Sequence, residues 1–139
     1  MKLSDAVRDI IRLGDASRIY WDMELRKHHP RYPIVLPGEE PVPPPPESVE
    51  IRAILNSLSE EQLYVLLLLT YVGQGTYRAD DLSISYQAVK EAFPYRALAI
   101  DQMMDNIGIA EDLEDASEEL RKQHIQIDSL ENMSIAGAS

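Results

Sequence analysis

Apolar side chains recur along this chain at three- and four-residue spacings, except in one stretch where prolines erase the pattern. The strongest run is Ser59–Gly75, SEEQLYVLLLLTYVGQG. Leu63, Val65, Leu66, Leu67, Leu68, Leu69, Tyr71 and Val72 occupy every side of a helix, and a helix apolar all round is a buried one. Ser59 is the expected N-cap, with Gln62 as its capping-box partner three residues on. Glu60 and Glu61 suit the positive first turn. Gly73 or Gly75 can take the left-handed conformation that ends the helix.

The other segments read as cover for this one. Ser4 and Asp5 suit a helix start, and the pattern predicts helix over 4–27. Val7, Ile11, Gly14, Trp21 and Leu25 form its stripe, with Ile10 beside them. Arg18 interrupts that stripe, and Gly14-Asp15 leaves open whether there is one helix or two. Ile51, Ile54, Leu55 and Leu58 mark a second helix starting near Glu47. Beyond the central helix, Asp80 or Asp81 caps a helix carrying Leu82, Tyr86, Val89 and Phe93 and stopped by Pro94. Ile100, Met103, Met104 and Ile107 give a short helix that breaks at Asn106 and Gly108. Ile109, Leu113, Ala116 and Leu120 line a last helix to about residue 125.

Between 30 and 46 lie eight of the nine prolines. Proline removes amide donors and drives the preceding residue out of the helical region, so an extended connector is expected. Its Ile34, Val35 and Leu36 are apolar and expected to lie partly on the core. Pro41 and Pro44 form a PxxP, but its flanks are acidic, which suits a connector better than an SH3-type ligand. The reading is one all-α domain: an N-terminal helical segment (1–29), the connector (30–46), a helical core (47–125) and a flexible tail (126–139). About six helices pack around the buried central helix 59–73.

Composition narrows the functional classes. A chain of 139 residues, 45% hydrophobic, can bury a real core. It has no cysteine, which excludes disulfides, thiolate metal sites and thiol nucleophiles. The N-terminal stretch lacks the apolar region of a secretory signal, and the longest apolar run is too short to cross a bilayer. A cytoplasmic protein that does not enter membranes is expected. Net charge is −11, unevenly spread: residues 1–32 hold seven basic and five acidic side chains, residues 94–139 three and ten. Such a surface repels phosphate backbones, so direct nucleic-acid binding is not expected, whereas a basic protein surface is a plausible partner.

Three stretches resemble an uncharacterised bacterial family, the domain of unknown function numbered 3775. Leu3–Leu13 looks like that family's opening helix, with paired isoleucines at Ile10-Ile11. Val49–Tyr77 looks like its core: a short helix ending in Leu, an acidic cap, a leucine-rich helix, an aromatic and a Gly-Arg-Gly. Met103–Asp115 looks like its C-terminal segment. The chain departs at Gln74, where the family has arginine, at Tyr71, usually tryptophan, and at Ile107, usually proline. The resemblance implies an all-helical fold and carries no activity.

Tests for chemistry return little. Gly-x-Ser-x-Gly, HExxH and EF-hand patterns are missing. His28 and His29 are adjacent and point apart on a helix, so they and His124 read as surface histidines rather than metal ligands. Gly73-Gln74-Gly75 follows a helix, whereas phosphate loops precede one. The run Arg26–Tyr32 mixes basic and aromatic residues, but favourable cations at a helix C-terminus explain it better than nucleic-acid contact. No catalytic, metal or cofactor site is expected, and no cofactor.

Two surfaces remain as interaction candidates. Eight carboxylates lie within residues 101–119, which contain no lysine or arginine. Of these, Glu111, Asp112, Glu114, Asp115, Glu118 and Glu119 form a ridge on the last helix. Trp21 and Tyr32 are candidate aromatic contacts. The leading reading is a small non-enzymatic helical protein that acts through a protein partner. The alternative is an acidic inhibitor of phage or mobile-element type, such as an anti-CRISPR, whose ridge imitates a phosphate backbone. An unrecognised enzyme is a third reading. A homodimer is also possible, because the leucine-rich helix carries more apolar surface than a small bundle readily covers.

Overall fold

A computed structural model describes residues 1–28 and 44–132. Among them are six α-helices and no strand: α1 (Leu3–His28), α2 (Glu47–Ser57), α3 (Glu60–Gly73), α4 (Leu82–Ala92), α5 (Arg96–Met104) and α6 (Ile109–Lys122). A 3-10 turn, Ile127–Asn132, follows. The all-α class and the helix order are those expected from the pattern. Most of the proline connector, Tyr32, His29 and the last seven residues lie outside the described residues.

The core is built on α3. Leu63, Val65, Leu66, Leu67 and Leu68 are 0% exposed, and Leu69 is 1% exposed. Each such side chain contributes on the order of 2 kcal/mol through burial. Cover comes chiefly from α6, then α4 and α5, with the 3-10 turn and an edge of α1 closing the remaining side. α2 sits one layer out, packed on α1 and α5. The helix is therefore covered within a single chain, and a second copy is not needed to bury it.

Both ends of α3 are fixed by hydrogen bonds. At its start the Ser59 hydroxyl accepts from the Gln62 amide (3.1 Å), and Gln62 Oε1 accepts from the Ser59 amide (3.1 Å). Gln62 Nε2 also donates to the Met1 carbonyl (2.9 Å) and to Glu131 (3.0 Å). One capping residue thus ties three parts of the chain together. At the other end Thr76 N–H donates to the Tyr71 carbonyl and Gly75 N–H to that of Val72. Gly75, at φ +82°, supplies the left-handed residue that this double closure requires.

Gly73 has a different duty. It is still helical, and a Cβ there would stand 1.8 Å from the Asp112 carbonyl oxygen. The missing side chain is what lets the end of α3 touch the backbone of α6.

α1 is one continuous helix, although Gly14-Asp15 lies in its middle. Gly14 is buried against Ala110 of α6, so tertiary packing outweighs its poor helix propensity. The buried stripe is Leu3, Ala6, Val7, Ile10, Leu13 and Gly14. It is rotated from the expected one, leaving Ile11 only partly buried. Arg18 pairs with Glu111 of α6 and with Asp15 (3.4 Å).

Several ends differ from expectation. Ser4 does not cap α1, which begins at Leu3. Instead its amide and hydroxyl both donate to Asp128 (2.9 and 2.7 Å), and Leu3 N–H donates to Glu131 (3.2 Å). The 3-10 turn thus supplies carboxylates to the positive end of α1. The sequence pattern predicts a flexible tail over 126–139. Residues 127–132 are folded, with Leu130 buried and the turn packed on α1 and α3. Asp81 precedes α4 without capping it through its side chain. α2 has no basic residue in its last turn. Arg96 of α5 fills that role, donating to the carbonyls of Leu55, Asn56 and Leu58 at 3.0, 2.9 and 2.6 Å. α6 stops at Lys122, short of residue 125. His124, at φ +58°, takes the left-handed position, with Ile125 N–H donating to the Leu120 carbonyl (2.9 Å).

Gly73→Ala forces α3 and α6 apart and costs about 3 kcal/mol in urea unfolding. His124→Gly relieves strain in the same kind of closure and gains about 1 kcal/mol. Hydrogen bonds from the Ser4 hydroxyl and then the Ser4 amide hold the Asp128 carboxyl below its ordinary value of 3.8. A depressed folded-state pKa contributes stability that is present above 3.8 and lost as pH falls through the lower folded value. Asp128→Asn therefore lowers the melting temperature at neutral pH, and the difference from the unmodified chain shrinks at acid pH. An equal difference at both pH values contradicts this.

Candidate functional site

The acidic residues of α6 do not form one uniform ridge. Glu111 is paired with Arg18, Glu118 with Arg121, and Glu119 with Lys122 (3.2 Å). Asp112 is half-buried and structural: its Oδ2 accepts from Gln74 Nε2 (2.9 Å) and Asn106 Nδ2 (2.8 Å). Asn106 Oδ1 in turn accepts from the Gly108 amide (3.0 Å), which shapes the break between α5 and α6. Asp112 thus joins the loop after α3 to the start of α6, beside the Gly73 contact. Only Glu114 and Asp115 of the six are exposed with no ion pair among the described residues. The ridge is a helix face partly neutralised by its own cations.

Asp115, Glu118, Glu119 and Lys122 of α6 border an open cleft of about 520 Å³ between that helix and the loop after α3, with Arg78 and Asp80 on the other side. Asp80 and Asp115 stand in solvent. General acid–base chemistry by carboxylates relies on burial to raise one pKa, and this cleft does not bury them. No group of three or more histidine, aspartate or glutamate side chains among the described residues is arranged to hold a metal ion.

The second surface is apolar. α1, the start of α2 and the α5–α6 break enclose a groove of about 580 Å³. Trp21 lines it, half-buried and edge-on to Tyr20 at 6.0 Å. Val49, Ile51, Met104 and Ile107 contribute much of the rest. Ile51 belongs to the core, but Val49 is 74% and Ile107 64% exposed. Large aliphatic side chains left in solvent beside a groove mark a contact surface more than isolated exposed ones do. The groove exists because the inner stripe of α1 outruns its cover. Gly14 meets α6 at Ala110; beyond it, no residue from Asp15 to Lys27 is buried. Arg52 and Asp105 are the charged lining groups, and Arg52 faces Asp101 at 3.7 Å.

Of the sequence-predicted contacts, Trp21 lies in this groove and Tyr32 is outside the described residues. The acidic residues lie on other surfaces, so the two candidate sites do not merge. Val49, Met104 and Ile107 were not anticipated as site residues. Val49 carried a signal, because it falls off the Ile51–Leu58 stripe of its helix. Ile107 is expected on the stripe of the short helix, but that helix ends at Met104 and Ile107 stands exposed in the break after it. No helix among the described residues is long and apolar enough to cross a membrane. Comparison with protein-family models, with curated proteins and with solved structures finds no match to this chain.

Asp112→Ala is expected to cost about 1–2 kcal/mol, because two donors lose their acceptor. Glu114→Lys and Asp115→Lys are expected to stay within about 0.5 kcal/mol of the unmodified chain. Urea unfolding of the three variants separates the structural acid from the free ones.

Proposed function

We propose that this protein is a non-enzymatic helical binding protein that holds an apolar segment of a protein partner in the groove beside Trp21. The observation that carries the reading is the exposure of Val49 and Ile107 at the rim of a groove floored by core residues. Exposed apolar side chains beside an apolar floor, with Arg52 and Asp105 as the charged lining groups, suit a contact surface. A cytoplasmic setting is part of this proposal and rests on the cysteine-free sequence alone. So is membership of the family of unknown function numbered 3775, which rests on the three quoted stretches and brings no activity with it.

A second reading has one observation in its favour. Glu114 and Asp115 are adjacent, exposed and without ion pairs, so a basic surface could dock on them. On that reading the protein is an acidic inhibitor of a nucleic-acid-binding complex. Its weakness is that four of the six ridge carboxylates are already engaged within the chain.

One experiment decides between them. The tagged full-length chain is used to capture partners from extract of its native host, beside Val49→Glu with Ile107→Glu and beside Glu114→Lys with Asp115→Lys. All four positions are exposed, so each double variant is expected to fold. Loss of a captured protein from the groove variant alone supports the first reading. Loss from the charge variant alone, with weaker capture as salt rises, replaces it with the second.

A further inference from the structure

α4 is attached differently from the other helices. Its substantial packing is on α3 alone, through Leu82, Ser85, Tyr86 and Val89. Its opposite face is in solvent, with Ile84 73% exposed. It is entered through the loop that contains left-handed Gly75, and it has no side-chain N-cap. At its far end Phe93 is held by a hydrogen bond from the Tyr64 hydroxyl to its carbonyl (2.6 Å) and by stacking on Tyr71 at 6.4 Å. Lys90 stands over the rings of Tyr64 and Tyr86, 5.9 and 5.7 Å from their centroids.

Inside this seam lies an unmatched polar atom. Tyr86 is 0% exposed, and its hydroxyl has no hydrogen-bond partner among the described residues. Burial, then Glu61 and Glu60, push that phenol up to about 12, so it stays neutral. A buried donor without an acceptor loses its hydration and receives nothing in exchange. That cost exists only while α4 is closed, because lifting the helix returns the hydroxyl to water.

We propose that α4 is a hinged cover, which opens as a unit between the loop after Gly75 and the Phe93-Pro94 exit and bares the Tyr64 side of α3 while the rest of the bundle stays folded. The single-partner packing allows the motion, and the stranded Tyr86 hydroxyl biases it. The Tyr64–Phe93 hydrogen bond and the Phe93–Tyr71 stack act as its latch. This goes beyond the groove reading, since α4 does not line the groove.

Amide hydrogen exchange on the full chain tests this under conditions where rates report opening equilibria. Amides of α4 are expected to exchange at least about tenfold faster than those of Val65–Leu69, with a shallower dependence on urea, as a local opening exposes less surface. Tyr86→Phe is expected to slow α4 exchange roughly tenfold by removing the stranded donor. Two results overturn the proposal: α4 amides that share the rate and urea slope of α3, or α4 exchange unchanged in Tyr86→Phe.

Discussion

A helix with no polar side has to be enclosed, and the rest of this fold is the enclosure. From Leu63 to Leu69 the side chains of α3 leave nothing for water. Cover must come from every direction, which is why α6, α4, α5, the 3-10 turn and an edge of α1 all converge on it. The tightest of these contacts is with α6. There Gly73 brings the two backbones together, and Asp112 fastens the same point by hydrogen bonds to Gln74 and Asn106. The contact is steric and polar at one place, so it fixes both the distance and the register of the two helices.

The second theme is that helix ends are satisfied from far away in sequence. The 3-10 turn caps α1 through Asp128 and Glu131, and Arg96 closes the end of α2. Gln62 belongs to a local capping box and also reaches Met1 and Glu131. Such bonds satisfy donors and acceptors that a helix leaves free, and they tie together segments far apart in the sequence. They also explain why the two termini of the described chain meet at the start of α3.

These two kinds of interaction decide what could be read from the sequence. The class, the six helices, the central role of α3 and its capping box were legible, because apolar spacing and local capping are properties of neighbouring residues. The duty of Gly73 was not. A close approach between two backbones leaves the same letter as a helix stop, and only Gly75 carries that second role. The fate of residues 127–132 was hidden for a related reason. Their few apolar residues look insufficient for a helix, and their anchors are carboxylates aimed at a partner over a hundred residues away. The acidic ridge was visible as composition, but the pairing of Glu111 with Arg18 and the use of Asp112 depend on which helix lies beside α6. The groove was half legible, through Trp21. Its other walls come from α2 and the α5–α6 break, and only tertiary packing brings those to α1.

The account rests on α3 being dry on all sides, and Leu67→Asp tests that most directly. Leu67 is 0% exposed, and Leu63, Leu66 and Leu68 beside it on α3 are 0% exposed as well. Burying that charge without a partner costs several kcal/mol, a large part of the stability of a domain this size. Circular dichroism and urea unfolding should show loss of the cooperative transition and of most helical signal. A variant that keeps a cooperative transition at nearly the same urea midpoint contradicts the buried-axis account, because it means that position 67 is open to water.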